Sequence, residues 1–238
     1  MNNEPFIEDP FIIEENENFG VVFKPAKMHC INNKPSENSD TILDWYKARA
    51  NSVFDIMHRL DYETNGLVLF AKNEKSFLKF KEAQDNGEFI KEYSAICAQE
   101  KNILEGFPEH EPQSNIIESY FRPFGPGRKQ VRPVIDEGKK NKELAKDKGG
   151  FYQTEIMNKT GNLIIARIKR GFRHQIRCHL CWIGLPIQND PIYSQESVGE
   201  MALRSHALYF PDPETGKQLE FRIPNLANTF PKNVSTYH

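Results

Sequence analysis

Long apolar runs are missing from this 238-residue chain. Nothing in it approaches the roughly 18 residues that a membrane-crossing helix needs. The opening residues, MNNEPFIEDP, have neither the basic segment nor the apolar segment of a secretory leader, so the expected location is the cytoplasm. Cysteine is scarce: Cys30, Cys97, Cys178 and Cys181 are too few for a disulfide scaffold in a chain of this size. A phosphate-binding P-loop, a dinucleotide fingerprint and a Ser-x-x-Lys site are also missing, which removes three common classes of enzyme. Lysine and arginine are absent from the first twenty residues, which carry Glu4, Glu8, Asp9, Glu14, Glu15 and Glu17.

What is present fits a folded chain with one sizeable core. Apolar residues make up 38% and charged residues 27%. The net charge of −2 hides two basic zones, because the acidic lead-in cancels charge that lies elsewhere. Between residues 120 and 150, Arg122, Arg128, Lys129, Arg132, Lys139, Lys140, Lys142, Lys146 and Lys148 face only Asp136, Glu137, Glu143 and Asp147. Between 167 and 179, Arg167, Lys169, Arg170, Arg173 and Arg177 stand with His174 and His179 and no acid. Two such zones in a mildly acidic chain suit a protein that offers one face to a polyanion.

Periodicity and turn chemistry predict many strands and few helices. Residues 11–13 form a possible edge strand, and 19–23 (FGVVF) a strand stopped at Lys24-Pro25. A helix over 41–46 would be capped by Ser39 or Asp40. Leu67 to Ala71 is a continuous apolar run of buried-strand type, preceded by a Thr64-Asn65-Gly66 turn. A helix starting at Asn73 or Ser76 should end near Asn86-Gly87, followed by a strand over 89–98 that presents Tyr93. Further strands are expected at 116–120, 151–156, 163–169 and 219–223, with a turn at 158–161 between the middle pair. Residues 174–184 predict a helix with Ile176, Leu180 and Ile183 on one stripe. Residues 202–210 read as helix turning into strand, and 136–150 as an exposed lysine-rich hairpin or insertion. The fold class is therefore α+β with a mostly antiparallel sheet.

Three residues stand out as chemistry. Asp61, in His58-Arg59-Leu60-Asp61, sits just ahead of the most strand-like run, where a carboxylate could be held ionised beside a cleft. A surface aspartate in a salt bridge or an Asx turn fits the same residues. Arg177 is a guanidinium that could keep such a carboxylate charged, though spacing alone does not bring the two together. Tyr93 offers either a platform for a nucleobase or an ordinary core tyrosine. His174, Cys178 and Cys181 share a helix face, but zinc sites usually draw on loops with a second ligand pair, so small buried thiols are the expected role.

His58-Arg59-Leu60-Asp61, Thr64, Gly66-Leu67-Val68-Leu69 and Ala71-Lys72 resemble the signature of the RluA-type RNA pseudouridine synthases. Three further segments resemble that family in the same order. They are Val21 to Ala26 with its Lys24-Pro25 pair, Lys91-Glu92-Tyr93, and Arg173-His174-Gln175-Ile176-Arg177-Cys178-His179-Leu180 trailed by Gly184, Pro186-Ile187, Asp190 and Tyr193. The resemblance implies a pseudouridine synthase fold over residues 19–238, with a mixed, mostly antiparallel sheet, flanking helices and a central cleft. Residues 1–18 would be a lead-in too short for the S4-type module many relatives carry. It implies that Asp61 is the essential aspartate, Tyr93 the tyrosine that stacks on uracil, and Arg177 the basic partner of Asp61. Arg59, His58, Arg173, His174 and Gln175 would bind substrate. The reaction would break the C1'–N1 bond of a uridine in structured RNA, rRNA or tRNA. It would then turn the uracil and rejoin it through C5 in a monomer without metal, cofactor or obligate protein partner. Asp61 would act either by covalent addition or by taking the C2' proton.

The sequence departs from the family pattern at Asn65, Phe172, Arg173, Asn189 and Ser194, where the family usually has Ser, Arg, Thr, Gly and Gly. Two other readings stay open beside the isomerase. One is an RNA-binding or ribosome-associated relative without turnover. The other is a hydrolase pairing Asp61 with His58 or His174.

Overall fold

The computed structural model describes residues 9–32, 40–98, 104–109, 114–135, 151–195 and 197–227. The lysine-rich segment 136–150 and Ser39 lie outside these, as does the end of the chain. The chain divides into two compact units, Met1–Phe89 with Arg204–His238, and Ile90–Leu203.

The first unit is built on β4 (Asn65–Ala71), the apolar run noted in the sequence, and every residue of it is buried. Burial on both faces explains why it shows no alternation. Strand β2 (Phe19–Lys24) pairs antiparallel with β4, and β1 (Phe11–Glu15) pairs with β2 at the edge. The short β3 (Asp55–Ile56) also pairs with β4. On the other side β10 (Leu203–Pro211) joins β4 in parallel through Arg204 and Ser205, and β11 (Gln218–Arg222) pairs antiparallel with β10. Residues 202–210, expected as helix turning into strand, are strand from Leu203 onward, because a ladder on each side outweighs the local helix preference at their start. Gly66 belongs to β4 rather than to the turn before it. Its φ is 125°, and a Cβ there would lie 2.2 Å from the Ser205 carbonyl oxygen, so glycine is needed for two backbones to approach. The turn itself falls earlier, with the Thr64 N–H on the Asp61 carbonyl at 3.1 Å.

Two helices accompany this sheet. In α1 (Ile42–Lys47) the N-cap is Thr41, whose side chain accepts the Asp44 N–H at 3.1 Å, rather than Ser39 or Asp40. In α2 (Glu74–Asp85) Asn73 caps as expected, accepting the Ser76 N–H at 2.9 Å, and the chain leaves through Asn86 and Gly87 at φ 72°. Phe80 of α2 and Phe89 meet Phe210 edge-on at 5.4 and 5.9 Å, within a core that also holds Phe19, Leu67 and Leu69.

The second unit is an antiparallel sheet, with β5 (Ile90–Ile96) on β9 (Leu163–Ile168), β9 on β8 (Tyr152–Thr160), and β8 on β6 (Ile116–Phe124). Strand β6 continues into a hairpin with β7 (Gln130–Val134) through the Pro126–Arg128 turn. The β8–β9 turn lies at Gly161, φ 59°, past the expected 158–161 start, because β8 runs on to Thr160. Helix α3 (Gln175–Trp182) has all eight residues buried. Its polar face is consumed within the protein. His179 bonds Ser119 Oγ and Thr154 Oγ1, each at 2.9 Å, and the Gln175 amide donates to the Gln153 carbonyl at 2.8 Å. Burial pushes the His179 pKa down to about 3, so the ring is neutral at ordinary pH.

Candidate active site

In the first unit, Asp61 is half-buried on the turn that leads into β4. Its neighbours are fixed from beneath by the end of β2. Lys24 is fully buried, and its ammonium donates to the carbonyls of Pro25 at 2.7 Å, Met28 at 2.8 Å and Tyr62 at 3.5 Å. One cation thereby ties residues 25–28 to the residue after Asp61. Burial drives its pKa from 10.5 down to about 8, against the opposing pull of Cys30, Asp61 and Glu63. A second tie is the thiol of Cys30, which accepts the Leu60 N–H at 3.2 Å and donates to the Leu60 carbonyl at 3.4 Å. The Lys27 N–H meets the Tyr62 carbonyl at 2.8 Å, and the His29 and Tyr62 rings pack at 4.6 Å. Residues on both sides of Asp61 are therefore held by a loop thirty or more positions earlier in the chain, which is how a carboxylate on a turn gains a fixed direction.

His58 and Arg59 differ in their surroundings. Nε2 of His58 accepts the Leu69 N–H at 3.2 Å, and the ring meets Phe89 edge-on at 5.4 Å. A neutral ring accepting at Nε2 carries its proton on Nδ1, so neither nitrogen offers a free lone pair for general-base work. Arg59 is exposed. Asn65, one of the departures from the family pattern, accepts Arg204 Nε at 2.9 Å, and Arg204 also donates to the Pro224 carbonyl at 3.1 Å.

In the second unit, Tyr93 lies mid-strand in β5 opposite Ala166 and is 6% exposed. Strand β5 is braced around it by the Lys91 ammonium on the Lys169 carbonyl at 3.3 Å and the Glu92–Arg167 ion pair at 2.7 Å. Arg177 lies on α3. Its side-chain partner in this unit is Asp190, with Nε to Oδ2 at 2.7 Å and Nη2 to Oδ1 at 2.8 Å. The two side chains are 3% and 0% exposed. The ring of Tyr193 lies 5.4 Å from the guanidinium, and the Tyr193 hydroxyl accepts the Val131 N–H at 3.0 Å. His174 bonds that same hydroxyl through Nδ1 at 3.3 Å. Arg173 is exposed and donates to the carbonyls of Arg128 and Gln130, at 2.7 and 3.2 Å, at the tip of the β6–β7 hairpin.

The residues flanking these candidates explain several of the sequence departures. Phe172 stacks on Phe121 at 5.0 Å and tilts against Tyr152, building an aromatic cluster where the family's arginine would stand. Asn189 has φ 61°, a conformation that glycine adopts freely and that asparagine tolerates best among side-chain residues. Its amide then does what glycine cannot, donating to the Glu200 carbonyl at 3.0 Å. Cys178 and Cys181 are buried thiols directed at the carbonyls of Val131 and Tyr193, at 3.5 and 3.4 Å. Among the described residues no three acidic, histidine or cysteine side chains converge on a metal position.

A family model described as RNA pseudouridylate synthase matches residues 18–182. The chain belongs to that family. The family's enzymes are isomerases that act on RNA. A Zymomonas mobilis protein named as an uncharacterised RNA pseudouridine synthase is 33% identical over 159 residues, which is 64% of this chain and 65% of that one. A Helicobacter pylori protein with the same description is 31% identical over 202 residues, 84% of this chain and 70% of its own length. Among solved structures, human RNA pseudouridylate synthase domain containing 1 superposes with a TM-score of 0.63 at 19% identity, covering 94% of this chain and 86% of that one. Human RNA pseudouridylate synthase domain containing 4 gives 0.59 at 17% identity, covering 93% and 88%. These last two likenesses establish the α+β pseudouridine synthase fold.

Two residues of the site lacked an assigned role in the sequence. Lys24 and Asp190 both fall in segments that resemble the family, yet a lysine before a proline and an aspartate in a loop carry no sign of their partners. Only the burial of each, 0% exposed, marks it as holding something in place.

Proposed function

We propose that this protein converts specific uridines in structured RNA, rRNA or tRNA, to pseudouridine in the cytoplasm, with residues 19–238 serving as the catalytic domain of a monomer. The observation that carries the reading is the fixed presentation of Asp61, within a chain of the RNA pseudouridylate synthase family, by Lys24 and Cys30. No helix among the described residues is long and apolar enough to cross a membrane. A uridine buried in RNA structure must leave its stack before a carboxylate can reach it, so the reaction begins with base flipping. In this reading Tyr93 takes the flipped uracil on its ring, and Asp61 meets the sugar or the ring. Arg177 keeps Asp61 ionised, and Arg59, His58, Arg173, His174 and Gln175 hold the surrounding RNA. Glycosidic cleavage then frees a uracil that remains bound, turns, and bonds through C5, after which a base removes the C5 proton.

Base-resolution pseudouridine mapping of total RNA tests this, comparing cells without the gene, cells with wild type restored, and cells with Asp61→Ala. One or a few sites should vanish with the gene and return only with wild type. An unchanged map sinks the isomerase reading. Sites restored equally by Asp61→Ala sink the assignment of the aspartate.

A further inference from the structure

We infer that the exposed ring of Tyr62, backed by His29, is a stacking ledge for the nucleobase next to the reacting uridine; this rests on the isomerase reading above, and every residue of the ledge belongs to the first unit. Tyr62 is 42% exposed, so much of its aromatic surface is left uncovered. Its ring meets the His29 ring at 4.6 Å, with 38° between the planes.

Both rings stand on pinned backbone. The Tyr62 carbonyl accepts the Lys27 N–H at 2.8 Å and the Lys24 ammonium at 3.5 Å. The His29 carbonyl accepts the Ile42 N–H at 3.0 Å at the start of α1, and His29 bridges in parallel to Thr41. Lys27 itself adopts φ 59°, the left-handed region that a lysine enters only with strain, and its bond to Tyr62 holds it there. Such outliers persist where the surroundings over-determine them, and here they fix the segment that carries His29 against the one that carries Tyr62. A tyrosine has only two side-chain torsions, and a ring already held in place loses little freedom when a flat partner settles on it.

Position and charge name the occupant. Tyr62 directly follows Asp61, their Cα atoms about 3.8 Å apart across one peptide bond, so RNA that brings a uridine to Asp61 carries the adjoining nucleotide past Tyr62. Flipping that uridine takes a stacking partner from its neighbour in the strand, and an aromatic ring replaces the partner whichever base the neighbour is. Phosphate capture accounts for the arrangement less well. Lys27 and Arg59 are exposed on the two segments, but Asp61 and Glu63 balance them in formal charge, so ring contact rather than charge supplies the affinity.

The test uses the full chain and total RNA from cells lacking the gene, in single-turnover reactions with protein in excess, followed at the sites found by mapping. Tyr62→Leu, apolar but without a ring, should raise the protein concentration for half-maximal rate about tenfold while the maximal rate stays within about twofold and the melting temperature is nearly unchanged. Tyr62→Phe keeps the ring and should restore wild-type half-saturation. The slope of log half-saturation against log salt should be the same in wild type and Tyr62→Leu, because no phosphate contact is lost. Half-saturation of Tyr62→Leu within twofold of wild type, or a Tyr62→Phe protein as impaired as Tyr62→Leu, overturns the ledge and leaves the isomerase reading standing. A shallower salt slope in Tyr62→Leu overturns stacking in favour of a phosphate contact. If wild type modifies no site, the isomerase reading fails and the inference falls with it.

Discussion

Replacing Lys24 with methionine separates two contributions that share one atom. With a pKa of about 8 when folded and 10.5 when unfolded, Lys24 binds fewer protons in the folded chain over that interval. Stability then rises with pH between about 8 and 10.5, because the unfolded state holds more protons there. Below pH 8 the ammonium is charged in both states, and the folded one bears the full cost of burying it. At 1.36 kcal/mol per unit, this cost is about 3 kcal/mol at pH 7 and falls to about 1 kcal/mol at pH 10. Lys24→Met removes that dependence but strips the donor from the carbonyls of Pro25, Met28 and Tyr62. Each carbonyl left buried costs on the order of 1–3 kcal/mol, so net stability at pH 7 should change little while the residues beside Asp61 lose their tether. Urea unfolding of both proteins at pH 7 and pH 10 is the assay. Wild type should gain about 2 kcal/mol relative to the variant across that range, and the variant should lose turnover at pH 7 out of proportion to its stability. A stability difference that stays flat from pH 7 to pH 10 refutes the picture of a buried, desolvated ammonium.

His179→Gln addresses the opposite end of the pH scale. The wild-type ring, held at about 3 by burial against 6.5 when unfolded, favours folding fully above pH 6.5 and loses that contribution as the pH falls; about 3 kcal/mol should disappear between pH 7 and pH 4 relative to the variant in chemical unfolding. Gly66→Ala would force a Cβ to within 2.2 Å of the Ser205 carbonyl oxygen at a φ of 125°, so a loss of several kcal/mol, or no soluble protein, is expected. Arg173→Ala should leave the melting temperature nearly unchanged, since the side chain is exposed. It should lower RNA affinity and reduce the slope of log affinity against log salt by about 1.

The sequence exposed the elements whose signal is local. Strand β4 was legible because burial on both faces demands an unbroken apolar run, and α2 because asparagine opens it and Asn86-Gly87 closes it. What was hidden depends on partners far along the chain. Residues 202–210 read as a helical start turning into strand, yet β4 on one side and β11 on the other make them strand from Leu203, and no window around Leu203 contains Asn65 or Phe221. The site divides in the same manner. Asp61, Tyr93 and Arg177 stand out as candidates through their motifs, whereas the union of Arg177 with Asp190 is visible only in three dimensions, as is the grip of Lys24 on the Tyr62 carbonyl. Phe172 illustrates the reverse case, a departure from the family pattern whose partner, the stacked ring of Phe121, no local signal reveals.

The division of the chain also sets an order of events during synthesis. The second unit is continuous, Ile90–Leu203, so its strands are made in one stretch, although β5 must wait for β9, which begins at Leu163. The first unit is interrupted. Its β4 emerges early, but the strand that covers its open edge begins at Leu203 and the one beyond that at Gln218. A nascent chain therefore leaves the Asn65–Gly66 end of β4 without its β10 partner while more than a hundred further residues are made, the situation in which unpaired edges recruit wrong partners. Slowing translation before residue 203 lengthens that exposure and should increase dependence on chaperones, whereas the later-made middle of the chain can finish folding first.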